Sequence, residues 1–310
     1  MKLTEVQKKS RSEALHADLK QHQMPANELV KRSEINERYI GAILKGQIIT
    51  GNVLIADKWY KMIAEKIDFS LKKEYWEVRP TAQMMRMLET LQEAREHSTT
   101  HVIIGETGCG KTFTSELFRN KFPVDTYKIT VGSLDTIGDL LDKTLEAMKL
   151  STPKTKSKKI SAIADFLKKK QMMGEYPTVI YDECEYMKQP ALCSMKELYD
   201  GLIGYSALVL IGTDQLLDNL DKLRKKNRSG IPQFYRRIKF GIRELNPIDR
   251  SFDQFIQAIE DKELKVWLKK NCENYGELHD VLVPAMREAE RMNEPLTLGL
   301  VRKILGNPRI

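Results

Sequence analysis

His101–Thr114, HVIIGETGCGKTFT, is the stretch whose reading decides the fold. Val102, Ile103 and Ile104 form a strand-like run that opens into Gly105-Glu106-Thr107-Gly108-Cys109-Gly110-Lys111-Thr112. Those residues satisfy G-x-x-x-x-G-K-[ST] at every defined position, and a helix-like segment follows. The chemistry asks for this spacing. Gly105, Gly108 and Gly110 let the backbone bend so that successive N–H groups converge on phosphate oxygens. A helix beginning near Lys111 adds the positive end of its dipole. Lys111 can reach the β- and γ-phosphates, and the Thr112 hydroxyl can ligate Mg²⁺. A chance lysine after a glycine-rich turn would lack the strand–loop–helix setting, so this stretch predicts a nucleotide site.

Working outward, Pro177–Glu183 (PTVIYDE) is a β-branched run ending in two acids. The gap of about 70 residues from the loop leaves room for a strand and two helices between them. Alone, an Asp-Glu pair can be an ordinary surface carboxylate pair. Behind a complete phosphate loop it predicts Asp182 as a holder of Mg²⁺ and Glu183 as the group that orients and deprotonates an attacking water. Ser206–Ile211 is another buried-strand run, followed by Gly212-Thr213-Asp214, which is either a polar strand tip at the site or a plain strand-end turn.

Two segments are strongly basic. Lys149–Lys170 carries eight lysines against one acid, Asp165. Lys222–Arg243 carries nine basic residues and no acid. Each is either a solvated face or a surface for phosphate backbone. The expected DNA contacts are Lys154, Lys156, Lys158 and Lys159 in the first segment. In the second they are Lys222, Arg224, Lys225, Lys226 and Arg228, read as a mobile loop. Within Ile231–Ile238 (IPQFYRRI) apolar anchors surround Arg236 and Arg237, either of which could reach a neighbouring subunit's γ-phosphate.

Residues 1–70 read as short helices. In Ala26–Gly46, Leu29 and Val30 belong to one amphipathic helix, Ile35 to a tight connection, and Ile40, Ile43 and Leu44 to a second helix. The stretch resembles the helix-turn-helix of small phage repressors, with Glu34 where the turn usually carries Gly, and it would present Arg38 to DNA. A helical hairpin used for packing is the plainer alternative. Pro80 suits the first position of a helix through Thr81–Arg95. Pro247–Ile310 reads as helices only.

At 310 residues the chain suits about two domains. A net charge of +8 favours a polyanionic partner without identifying it. The four cysteines are scattered and form no C-x-x-C pair, which fits reduced thiols in the cytoplasm. No apolar run approaches the ~18 residues of a membrane span.

The order GETGCGKT, VIYDE, LVLIGTD and QFYRRI resembles the AAA+ ATPases. With a helix-turn-helix in front, it resembles the MuB-like transposition ATPases across nearly the whole chain. The resemblance implies an α/β P-loop AAA+ core, a parallel sheet flanked by helices. Its implied domains are 1–75 (helix-turn-helix), 76–245 (nucleotide core) and 246–310 (helical lid). It implies ATP and Mg²⁺ as cofactors and residues 105–112 as their cradle. Glu183, Lys111, Thr213 and an arginine finger would be the catalytic set, with Arg237 ahead of Arg236. Double-stranded DNA, a DDE transposase and further copies of the chain, in a filament or ring, would be the partners. Two departures are Thr213, where relatives usually have Asn, and His279, where they tend to carry a sensor arginine. A helicase-loader-type AAA+ protein and an ATP-responsive helix-turn-helix regulator are the alternatives. A P-loop kinase does not explain Glu183.

Overall fold

The computed structural model describes residues 3, 5–21, 35–51, 53–66 and 75–306. The chain divides into two compact units, Met1–Tyr75 and Trp76–Ile310. The first contains α1 (Glu5–Gln21), α2 (Glu37–Leu44), a two-stranded hairpin of β1 (Ile49–Thr50) and β2 (Val53–Leu54), and α3 (Asp57–Lys66). Leu15, Ile40, Ile43, Ile55, Tyr60 and Ile63 form its core. Helices alone were expected here; the glycine turn at Gly51, in the left-handed region, folds a short hairpin instead. Leu29, Val30 and Glu34, the first helix and turn of the expected helix-turn-helix, lie outside the described residues.

The second unit is built on a five-stranded parallel sheet in the order β4-β5-β6-β3-β7. Its strands are β3 (Thr100–Ile104), β4 (Thr126–Thr130), β5 (Thr178–Asp182), β6 (Ala207–Gly212) and β7 (Ile242–Glu244). Helices cover both faces, so the inner strands read as continuous apolar runs without alternation. Val102, Ile104, Val179, Tyr181, Leu208 and Leu210 face a core shared with α6 (Ile137–Ala147), α7 (Lys156–Met172), α8 (Gln189–Leu202) and α10 (Ile231–Ile238). Ile103, Ile180, Val209 and Ile211 face the opposite way, onto Met87 and Leu91 of α4 (Ala82–His97) and Phe118 of α5 (Lys111–Lys121). Each such fully buried side chain contributes about 1.5–3 kcal/mol.

Local chemistry trims the expected elements. Thr81, not Pro80, starts α4, because its hydroxyl accepts from the Met84 N–H at 3.2 Å. A reciprocal Thr136–Asp139 capping box starts α6 and leaves Leu134 outside it, 87% exposed. Residues Lys222–Lys225 are the last turn of α9 (Asp214–Lys225), not a loop, since basic side chains suit the negative end of a helix. Gly241 is required where the chain enters β7: a Cβ there would lie 2.4 Å from the Thr100 carbonyl oxygen.

After β7 come α11 (Asp253–Ile256), α12 (Lys262–Asn271), α13 (Tyr275–Met292) and α14 (Leu298–Leu305). They pack around Phe252, Leu264, Leu268, Leu278, Leu282 and Val301, and Cys109 of the phosphate loop joins that core. Among the described residues, no helix is long and apolar enough to cross a membrane.

Candidate functional site

The glycines shape the loop between β3 and α5. Gly108 (φ 75°) and Gly110 (φ 91°) lie in the left-handed region that other residues resist. A Cβ on Gly108 would also meet the Asn274 side chain at 2.3 Å. Gly110 is the N-cap of α5 and offers no side chain to its first-turn N–H groups. Those donors suit an anion. Lys111 Nζ donates to the carbonyls of Gly105 (2.7 Å) and Glu106 (2.8 Å), neutral acceptors that a phosphate oxygen outcompetes.

The other loop residues tie it to the C-terminal helices. Glu106 accepts from the Ile248 N–H at 3.3 Å and pairs with Arg250 at 2.8 Å. Cys109 is buried, and burial pushes its thiol up, so it acts as packing and not as a nucleophile. Thr107 lines a cleft of about 330 Å³ with Glu106, Thr213, Asp214, Arg250 and Asn274.

Sheet register brings the remaining groups together. Ile104 pairs with Gly212, and Leu210 with Tyr181, so Gly105, Thr213 and Asp182 follow one another across the C-terminal ends of β3, β6 and β5. Ligands of open α/β sheets bind along that edge. Asp182 is 1% exposed; its Oδ1 accepts from the Glu183 N–H at 3.0 Å. Its Oδ2 has no hydrogen-bond partner and lies 3.3 Å from Lys128 Nζ. Glu183 sits in the left-handed region (φ 61°), a strain of about 1–3 kcal/mol of the kind that clusters at functional sites. Its carboxyl is pushed up by burial and then by the charges of Asp182 and Glu185.

The residues fit a nucleotide with a hard cation. The uncapped helix end offers donors to phosphate. The buried oxygens Asp182 Oδ2, Thr213 Oγ1 and Glu185 Oε2 have no hydrogen-bond partner, and such oxygens suit Mg²⁺ and its waters.

Other expected residues stand apart. Arg237 is held by Asp200, with Nε 2.6 Å from Oδ1, whereas Arg236 on the same helix is exposed. Lys159 is not a free DNA contact: it is buried and paired with Asp142 at 2.5 Å. Arg224 pairs with Asp221 at 3.1 Å and lies over the Tyr235 ring. Lys154, Lys156, Lys158, Lys222, Lys225, Lys226, Arg228 and Arg38 are exposed. His279 packs edge-on against Trp76 and bonds Asp280 at 3.1 Å. In its segment, Glu273 and Asn274 are the residues that line the cleft.

Sequence reasoning missed Lys128, Arg250, Asn274 and Glu185. Lys128 had a signal, a lysine inside the alternating strand TYKITV; Arg250 and Asn274 had none, because the tertiary fold brings them to the loop.

A family profile described as an AAA domain matches residues 63–220, just over half of the chain. The chain belongs to this AAA domain family. Several solved structures share the fold. The ORC2 protein of Aeropyrum pernix, solved in ADPNP and ADP complexes, superposes with a TM-score of 0.53 at 16% identity, covering 76% of this chain and 70% of that one. Cdc6p from Pyrobaculum aerophilum gives 0.52 at 16% identity, over 71% and 66%. The ORC1 protein of Aeropyrum pernix in complex with DNA gives 0.52 at 16%, over 76% and 67%. None of the curated proteins matches the sequence.

Proposed function

We propose that this AAA protein hydrolyses ATP and couples its nucleotide state to its hold on duplex DNA. The observation that carries the reading is that the phosphate loop, Thr213 and Asp182 lie side by side at the C-terminal ends of three adjacent strands. The loop N–H groups and Lys111 hold the β- and γ-phosphates. Thr112 and Asp182 would hold Mg²⁺, which would neutralise charge on the phosphates. Glu183 orients and deprotonates the attacking water, and the Thr213 hydroxyl reads the γ-phosphate. Arg236, exposed on α10, completes the site of a neighbouring copy, ahead of the restrained Arg237.

Exposed lysines on α7 and at the end of α9 support contact with the DNA backbone. In the finer reading the protein delivers target DNA to a DDE transposase as an ATP-dependent filament or ring. Its sequence resemblance to MuB-like ATPases favours that role. The fold likeness to an ORC1 protein seen with DNA favours a second reading, a replication initiator or helicase loader.

Wild-type protein should hydrolyse ATP faster with duplex DNA and at higher protein concentration. Lys111→Ala should abolish nucleotide binding, and Glu183→Gln should keep binding while lowering kcat by about 10²–10⁴-fold. Equal hydrolysis at every protein concentration, with or without DNA, would refute the coupling. Negative-stain imaging on duplex DNA separates the finer readings: ATP-dependent filaments or rings support the transposition role, and the absence of both removes it.

A further inference from the structure

Lys128 belongs to no recognised motif, yet its ammonium stands between the two residues expected to hold the metal. On β4, Lys128 pairs in register with Ile180 and Thr130 with Asp182, so Lys128 shares a face with Asp182. Its side chain is 7% exposed. Nζ donates to the Thr112 carbonyl at 3.1 Å and lies 3.3 Å from Asp182 Oδ2 and 3.6 Å from Glu116 Oε2.

We propose that Lys128 is a tethered cation that competes with Mg²⁺ for Asp182 and so sets the free Mg²⁺ concentration at which the site is filled. This inference rests on the nucleotide-site reading above. Asp182 is buried, so little water screens one cation from another across the same carboxylate. A carboxylate already neutralised attracts a divalent ion less. The competition is also reversible. The contact with Asp182 has ion-pair distance without a hydrogen bond, whereas that with Thr112 is a directed bond. Lys128 can therefore release Asp182 and still keep Thr112 and Glu116 as partners. Glu116 tunes this exchange as the alternative anion, and it shares itself with Arg119.

The test follows binding of a fluorescent ATP analogue, and thermal melting with ADP, during Mg²⁺ titration. Lys128→Met should lower the half-saturating Mg²⁺ concentration about tenfold, the scale typical of groups just outside a metal's own ligands. Lys128→Arg keeps the charge and should stay near wild type. Glu116→Gln removes the alternative anion, holds Lys128 on Asp182, and should raise the requirement about two- to threefold. If the Met variant does not fold, Glu116→Gln carries the test alone, since that side chain is 39% exposed. Unchanged Mg²⁺ dependence in variants that bind nucleotide, or shifts of opposite sign, would overturn the competition alone. Wild-type protein that binds no nucleotide at any Mg²⁺ concentration would instead remove the site reading itself.

Discussion

Arg237 and Asp200 form a two-point ion pair between α10 and α8, with Nε to Oδ1 at 2.6 Å and Nη2 to Oδ2 at 3.0 Å. Burial alone would raise the Asp200 carboxyl, but its bonds to Arg237 and Lys196 outweigh that and hold it below the usual range. Its neighbour Arg236 points outward from the same helix turn. Arg236→Ala should therefore remove the concentration-dependent part of the ATPase rate, by about a thousandfold if it acts as a finger. Arg237→Ala should cost only about 1 kcal/mol in urea unfolding, because the pair is partly solvated. The reverse pattern of losses would hand the role to Arg237.

The proposed DNA-binding surface can be tested by salt dependence. Lys222/Lys225/Lys226→Ala should reduce the slope of log affinity against log salt by about 0.9 for each phosphate no longer neutralised. Lys159→Ala should leave that slope alone and lower stability instead, because its ammonium serves Asp142. A wild-type slope in the triple variant would move the DNA-binding surface to the lysines at the start of α7.

At the opposite edge of the sheet, Arg95 and Asp125 pair at 2.8 Å with side chains 11% and 9% exposed. Asp125 also accepts from the Tyr176 N–H at 3.2 Å, and Arg95 lies over the Phe122 ring. Asp125→Ala leaves a buried guanidinium uncompensated and should cost about 3–5 kcal/mol in chemical denaturation. Asp125→Asn keeps the acceptor and should cost less. A loss under about 1 kcal/mol for the Ala variant would mean that Arg95 finds water.

His101 predicts a pH dependence. It is buried in β3, and burial first, then the charge of Arg243, holds its imidazole below the usual value. Its Nδ1 has no hydrogen-bond partner. Below about pH 6.5 the unfolded chain takes up a proton that the folded chain resists, so stability falls as pH drops through that value toward the folded pKa. Melting temperature from pH 8 to 5 should show this decline, and His101→Val should flatten it. An equally steep decline in the Val variant would assign it to other groups.

What could be read from the chain was what one short segment determines alone. Gly105–Thr112 carries its loop in its own glycines, and the runs around Ile103, Ile180 and Val209 announce strands buried on both faces, so the parallel sheet was legible. What escaped depends on partners distant in sequence. That Arg237 is restrained follows from Asp200, and that Lys159 is occupied follows from Asp142. The three residues of β7 carry little pattern of their own; β3 and the close approach at Gly241 make them a strand. Helix limits moved because Thr81 and Thr136 cap more strongly than the apolar pattern suggests.

Glu106 and Cys109 give the phosphate loop a double membership. One reaches Ile248 and Arg250, and the other is packed among Phe252, Leu264 and Leu278. A loop anchored in this way cannot adjust its backbone privately. Any ligand that tightens it must also tighten the C-terminal helices, by the ordinary linkage between binding and stability. Slower amide exchange along α12 and α13 is then a direct gauge of what the loop is holding, with no messenger segment between them.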